Sequence, residues 1–150
     1  MRIDMRRLRL QDLAPGWQVY FPHGLLGFPQ RQTYCIQYPL QEAPFRWLQA
    51  MGDPPLAFVI LDPFLFLPDY QVEASEQDMQ ELGGADPDSL VVCTIVTLPR
   101  EASPCLTVNL QGPVLMNGMN GWAKQLVLMN SPYHTCHPLV VTPHTPALSR

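Results

Sequence analysis

Nowhere in these 150 residues is there an uninterrupted run of about 20 apolar side chains, the length a helix needs to cross a bilayer. The densest apolar stretch, AFVILDPFLFLPDYQV at 57–72, is broken by Asp62, Pro63, Pro68 and Asp69, so it reads as part of a folded core rather than a membrane segment. Charge is scarce as well. Charged residues make up 15% of the chain, with Lys+Arg 9 against Asp+Glu 13 and a formal net charge of -4. That balance lacks the cation excess with which proteins neutralise phosphates, which argues against direct nucleic-acid binding and for a basic or apolar protein partner. The opening MRIDMRRLRLQDL mixes arginines with polar residues and has no continuous apolar core of the kind a secretory signal carries, so a cytoplasmic address is expected.

Signatures of chemistry are missing too. Cys35, Cys93, Cys105 and Cys136 never approach C-x-x-C spacing, and they are expected as buried free thiols rather than disulfides. No G-x-S-x-G elbow frames a serine, and the glycines of ELGGAD follow a helical segment, whereas a phosphate-cradling loop precedes one. Asp62 and Asp69 stand beside prolines, where aspartate commonly fixes turns. His134, Cys136 and His137, with His144 farther on, are ligand types that zinc accepts, but no second Cys/His pair closes a tetrahedron. A small β-barrel enzyme or metal protein built on that cluster is the alternative reading; the preferred one has no catalysis and no cofactor.

Proline, by contrast, is abundant. Seventeen prolines are more than long helices tolerate, because each interior proline removes a donor and clashes with the preceding turn. Runs rich in β-branched and aromatic residues recur between them: 17–21, 33–40, 45–51, 56–61, 89–98, 105–110, 113–117 and 123–129. The last two are joined by GMNGW, whose Asn-Gly suits a hairpin turn. LAFVIL at 56–61 is expected as a strand buried on both faces. An extended corner should follow it, with Phe64 and Phe66 pointing one way and Leu65 and Leu67 the other.

One helix is expected, over 75–82. Ser75 caps it, Asp78 completes the capping box, Gly83 stops it, and Met79 and Leu82 face the core. Glu76, Gln77, Gln80 and Glu81 then face water, either as a solvated surface or as a docking face for a basic partner. The predicted fold class is mostly β: a compact, single-domain, β-barrel-like fold of short antiparallel strands over 1–139, followed by a proline-rich mobile tail over 140–150.

Several pieces together resemble the flagellar assembly factor FliW family: GLLGF (24–28), PLAFVILDPFLFLPDY (55–70), VVCTIVTLP (91–99), TVNLQGPVLMN (107–117), KQLVLMNSPY (124–133) and HPL (137–139). The likeness covers roughly residues 3 to 139. The chain departs from the family pattern at Leu26, near Pro29 and at Cys136. The resemblance implies a non-enzymatic cytoplasmic protein that binds flagellin in the manner of a chaperone and also binds the translational repressor CsrA, keeping it off flagellin messenger RNA. Flagellin would then occupy the protein as it accumulates and release CsrA. On this reading the flagellin contact is expected at Phe64, Leu65, Phe66, Leu67 and Tyr70, beside Asn109 to Pro113. The CsrA contact is expected at Glu73, Glu76 and Glu81, on a chain that acts as a monomer.

Overall fold

The computed structural model describes residues 2–3, 8–39, 44–99 and 105–139; the expected tail at 140–150, with His144, lies outside the described residues. The β-branched and aromatic runs pair as short antiparallel strands: β1 (Arg2–Ile3), β2 (Gln18–Tyr20), β3 (Thr33–Gln37), β4 (Arg46–Ala50), β5 (Ala57–Leu61), β6 (Val72–Glu73), β7 (Leu90–Thr97), β8 (Thr107–Val108), β9 (Val114–Asn117), β10 (Ala123–Gln125) and β11 (His137–Pro138). The main sheet runs β10-β9-β7-β5-β4-β3-β2, with β8 also on β7 and β11 on β8, while β1 and β6 form a separate pair. The helix α1 (Glu76–Glu81) is capped as expected, with Ser75 Oγ accepting from the Asp78 N–H and Asp78 reaching back to the Ser75 N–H. Met79 and Leu82 are buried beneath it.

β7 organises the interior. Its side chains alternate between two apolar clusters. Val91 and Cys93 join Tyr34, Ile36, Leu48, Ile60, Val114 and Met116, whereas Leu90, Val92 and Val96 join Phe64, Tyr70, Met79, Leu82, Val108 and Leu115. This is the strand buried on both faces, and the expectation for residues 56–61 is corrected accordingly. In β5 only Ile60 and Leu61 are buried, Phe58 and Val59 are half-buried and Ala57 is exposed. The register gives the reason: β7 pairs with Val59 to Leu61, so Ala57 and Phe58 project beyond it and pair with β4 alone.

The two ends of the sheet meet at a single parallel bridge between Tyr20 and Trp122. Here the Tyr20 N–H donates to the Gly121 carbonyl at 2.8 Å. Gly121 has φ +80°, and a Cβ on it would lie 2.6 Å from the Gln18 carbonyl oxygen, so this approach needs glycine. The next rung of a parallel ladder would need an N–H at residue 22. Pro22 has none, and the fold stays barrel-like without closing.

Three other expectations change in detail. The Asn120-Gly121 pair does not fill a two-residue turn but ends a four-residue loop, in which the Asn117 N–H donates to the Trp122 carbonyl at 2.7 Å and the Gly121 N–H to the Asn117 carbonyl at 2.8 Å. Several strands are shorter than their apolar runs: β8 keeps only two residues of 105–110, and β10 ends at Gln125, opposite Val114, where β9 begins. Of the four thiols, all free, Cys93 alone is fully buried, Cys35 is partly so, and Cys105 and Cys136 are exposed at loop ends.

Candidate functional site

The apolar corner begins with Asp62-Pro63. Asp62 Oδ1 accepts from the Phe64 N–H at 2.9 Å and Pro63 occupies the first helical position, which winds Pro63–Leu65 into a 3₁₀ turn. This overturns the extended corner, because a 3₁₀ turn destroys the two-residue alternation that would have paired Phe64 with Phe66 and Leu65 with Leu67. Phe64 is buried, Leu65 is 47% exposed, and Phe66 and Leu67 are both half-buried. Asp62 is itself buried and receives the Arg9 Nε–H at 2.5 Å, and the Arg9 guanidinium lies 6.0 Å from the centre of the Phe64 ring. That cation was invisible to local sequence reasoning, since it lies 53 residues away.

Tyr70 brings the corner to the turn that starts at Asn109. Its ring is buried, its hydroxyl donates to the Leu110 carbonyl, and Tyr133 packs edge-on against it at 4.7 Å between ring centres. Burial pushes the Tyr70 hydroxyl well above a tyrosine's usual value, and Tyr133 adds to the shift. Tyr133 in turn accepts from the Gln71 N–H at 2.9 Å. Asn109 Oδ1 accepts from the Gly112 N–H at 2.8 Å, and a Cβ at Gly112 would come within 2.9 Å of the Asn109 side chain. Asn109 therefore shapes the turn. The structure thus joins Phe64, Tyr70 and the Asn109 turn through one buried contact, while the accessible apolar surface of the corner falls to Leu65 with parts of Phe66 and Leu67.

The acidic residues divide. Glu73 on β6 and Glu76 on α1 are exposed. Glu81 is not a free surface charge: Lys124 on β10 donates to it and, at 2.6 Å, to Asp78. For Asp78, burial pushes the carboxyl up, but the Lys124 ammonium and the Ser75 cap outweigh this and hold it below its usual value. The Lys124 hydrogen bond, helped by Gln77, likewise lowers Glu81. Lys124 is raised, its two carboxylate partners overcoming the opposing effect of burial.

The His134, Cys136 and His137 cluster does not assemble. His134 and Cys136 are exposed, and the His137 ring stacks on Phe66 with 6.3 Å between centres. Among the described residues no group of three or more His, Cys, Asp or Glu side chains is placed to hold a metal ion. Likewise, among the described residues no helix is long and apolar enough to cross a membrane.

Comparison with known proteins agrees with this architecture. A family model described as FliW protein matches residues 3–139. A flagellar assembly factor FliW of Alkaliphilus metalliredigens is 43% identical over 120 residues, covering 79% of this chain and 74% of that protein. Its counterpart in Treponema denticola is 33% identical over 140 residues, covering 93% and 94% respectively. A solved structure, the crystal structure of the flagellar assembly factor FliW, superimposes with a TM-score of 0.73 at 28% identity, over 87% of this chain and 90% of that one.

Proposed function

The chain belongs to the FliW family of flagellar assembly factors, and from that premise we propose that it works in the cytoplasm as a partner-switching regulator of flagellin. It holds flagellin as a chaperone does, and it antagonises the repressor CsrA by binding the repressor itself. The chain acts by binding, with no catalytic step and no cofactor. The observation that carries this reading is the family match across residues 3–139. Two surface features support it: an apolar corner that leaves Leu65 exposed, and an acidic strip at Glu73 and Glu76.

The chemistry fits the two roles. An exposed leucine flanked by half-buried Phe66 and Leu67 offers apolar area to an amphipathic segment of flagellin. Carboxylates on an acidic chain attract a basic RNA-binding repressor and would repel RNA. The chain therefore reaches the messenger only through the protein that binds it. The test is a pull-down from a cell extract with the purified chain as bait, probed for flagellin and CsrA. Recovery of both, in separate complexes, supports the reading; recovery of neither overturns it.

A further inference from the structure

The single bridge at Tyr20 and Trp122 leaves an open seam in the barrel, and we infer that this seam takes an extended, basic segment of a partner protein as an added strand on β10. The backbone sets the edge. Pairing of Lys124 with Leu115, and donation from the Leu126 N–H to the Pro113 carbonyl, point the peptide groups of Lys124 and Leu126 toward β9. Those of Ala123 and Gln125 therefore point the other way. β10 is the last strand of the sheet order. Beyond the bridge, the Ala123 carbonyl would be met in a continuing ladder by an N–H at residue 22, which Pro22 lacks, and the Pro22 carbonyl is taken by Gln32 Nε2 at 2.8 Å.

A cavity of about 320 Å³ lies along this edge, walled on the far side by His23 to Gly27 and Pro29. The loop reaches β10 through a side chain rather than the main chain, the Leu26 N–H donating to Gln125 Oε1 at 3.0 Å. The bridge itself engages the Ala123 N–H with the Tyr20 carbonyl, and beyond it the Ala123 carbonyl and the Gln125 peptide groups are left to another donor and acceptor, which is the condition for strand addition. Leu25, Leu26 and Pro29 give the wall an apolar character suited to small aliphatic side chains.

Charge selects the occupant. Glu81 and Lys124 line the cavity, and Asp78 meets Lys124 from outside that lining, so the three together leave one carboxylate charge in excess beside the edge. At the closed end of the seam the rings of Tyr20 and Trp122, each 39% exposed, stand edge-to-face with centres 5.9 Å apart. Carboxylate surplus beside exposed aromatic faces favours a guanidinium or ammonium. Alternating basic and aliphatic residues would place the cations over Glu81 and the rings and the aliphatic side chains toward Leu25. The site shares Glu81 with the acidic surface considered above, but its test uses a defined peptide, so this inference and the partner assignment fail separately.

The experiment is an NMR titration of the isotope-labelled full chain with the peptide acetyl-Val-Arg-Val-Arg-Val-amide. Two N-methylated forms, one blocking the central valine amide and the other both arginine amides, and a form with Glu in place of Arg serve as comparisons. An added strand bonds through alternate residues, so the expected result is shifts centred on Trp122 to Gln125. One N-methylated form should lose at least tenfold in affinity while the other retains binding, and the Glu form should bind at least tenfold more weakly than the parent. Absence of shifts at Trp122 to Gln125 at millimolar peptide, equal behaviour of the two N-methylated forms, or equal binding of the Glu form would each overturn the inference.

Discussion

Tyr70 donates its hydroxyl hydrogen to the carbonyl of Leu110, 40 residues on, within a buried contact that fastens the apolar corner to the Asn109 turn. Tyr70→Phe keeps the ring against Phe64 and Tyr133 but leaves that carbonyl without its partner. A buried acceptor stripped of its donor costs about 1–3 kcal/mol, so a loss of that size is expected in urea unfolding. A loss under about 0.5 kcal/mol, the range of an ordinary surface change, would show that the two segments are held by packing alone.

The corner should separate stability from binding at adjacent residues. Leu65 is 47% exposed, so Leu65→Ser should shift stability by no more than about 0.5 kcal/mol while weakening flagellin binding. Phe64 is buried between Tyr70 and Arg9, and Phe64→Ala should cost about 3–5 kcal/mol. Melting curves and flagellin titrations on both variants decide the matter; unchanged flagellin binding by Leu65→Ser would place that contact elsewhere.

The Lys124 contact predicts a pH dependence. Asp78 and Glu81 are held below their usual values in the folded chain, so the folded state binds fewer protons than the unfolded state in the acid range. The stabilisation is fully present above the ordinary carboxylate range of about pH 4 and is lost as pH falls through the lowered values. The groups are partly exposed, so the effect is discounted to about 0.5–1 kcal/mol. Urea midpoints from pH 7 to pH 3 should fall more steeply for the wild type than for Lys124→Met. Parallel curves would mean that the contact contributes nothing.

Glu73 and Glu76 are exposed, so reversing both to Lys tests the acidic surface without disturbing the Lys124 contact. CsrA affinity should drop at low salt and lose much of its salt dependence, because complementary surface charges act within a screening length of about 10 Å at 0.1 M. Unchanged affinity would leave these residues as a solvated face.

What could be read from the sequence was whatever neighbours in the chain determine. Ser75 and Asp78 stand three apart and announced the helix cap, and the capping box is present; the strands followed from β-branched runs between prolines. Two-residue alternation does not carry across Asp62-Pro63, because an aspartate before a proline is itself a local signal for a helical turn. The partners of Asp62 and Asp78 were out of reach for a different reason. Arg9 and Lys124 lie 53 and 46 residues away, and only the tertiary fold brings them close. Apolar composition does not reveal which strand is buried on both faces. LAFVIL and LVVCTIVT are both continuously apolar or nearly so, and only the tertiary packing shows that β7 lies between the two apolar clusters, with Val91 and Cys93 in one and Leu90, Val92 and Val96 in the other.

The central claim is that one chain serves flagellin and CsrA in turn. Its most direct test is an equilibrium competition, in which fluorescently labelled CsrA is bound to the purified chain, flagellin is added, and anisotropy reports bound CsrA. The account predicts that flagellin releases CsrA completely, with the apparent CsrA dissociation constant rising in proportion to free flagellin. Stable binding of both partners to one chain, or CsrA anisotropy that flagellin leaves unchanged, would contradict it.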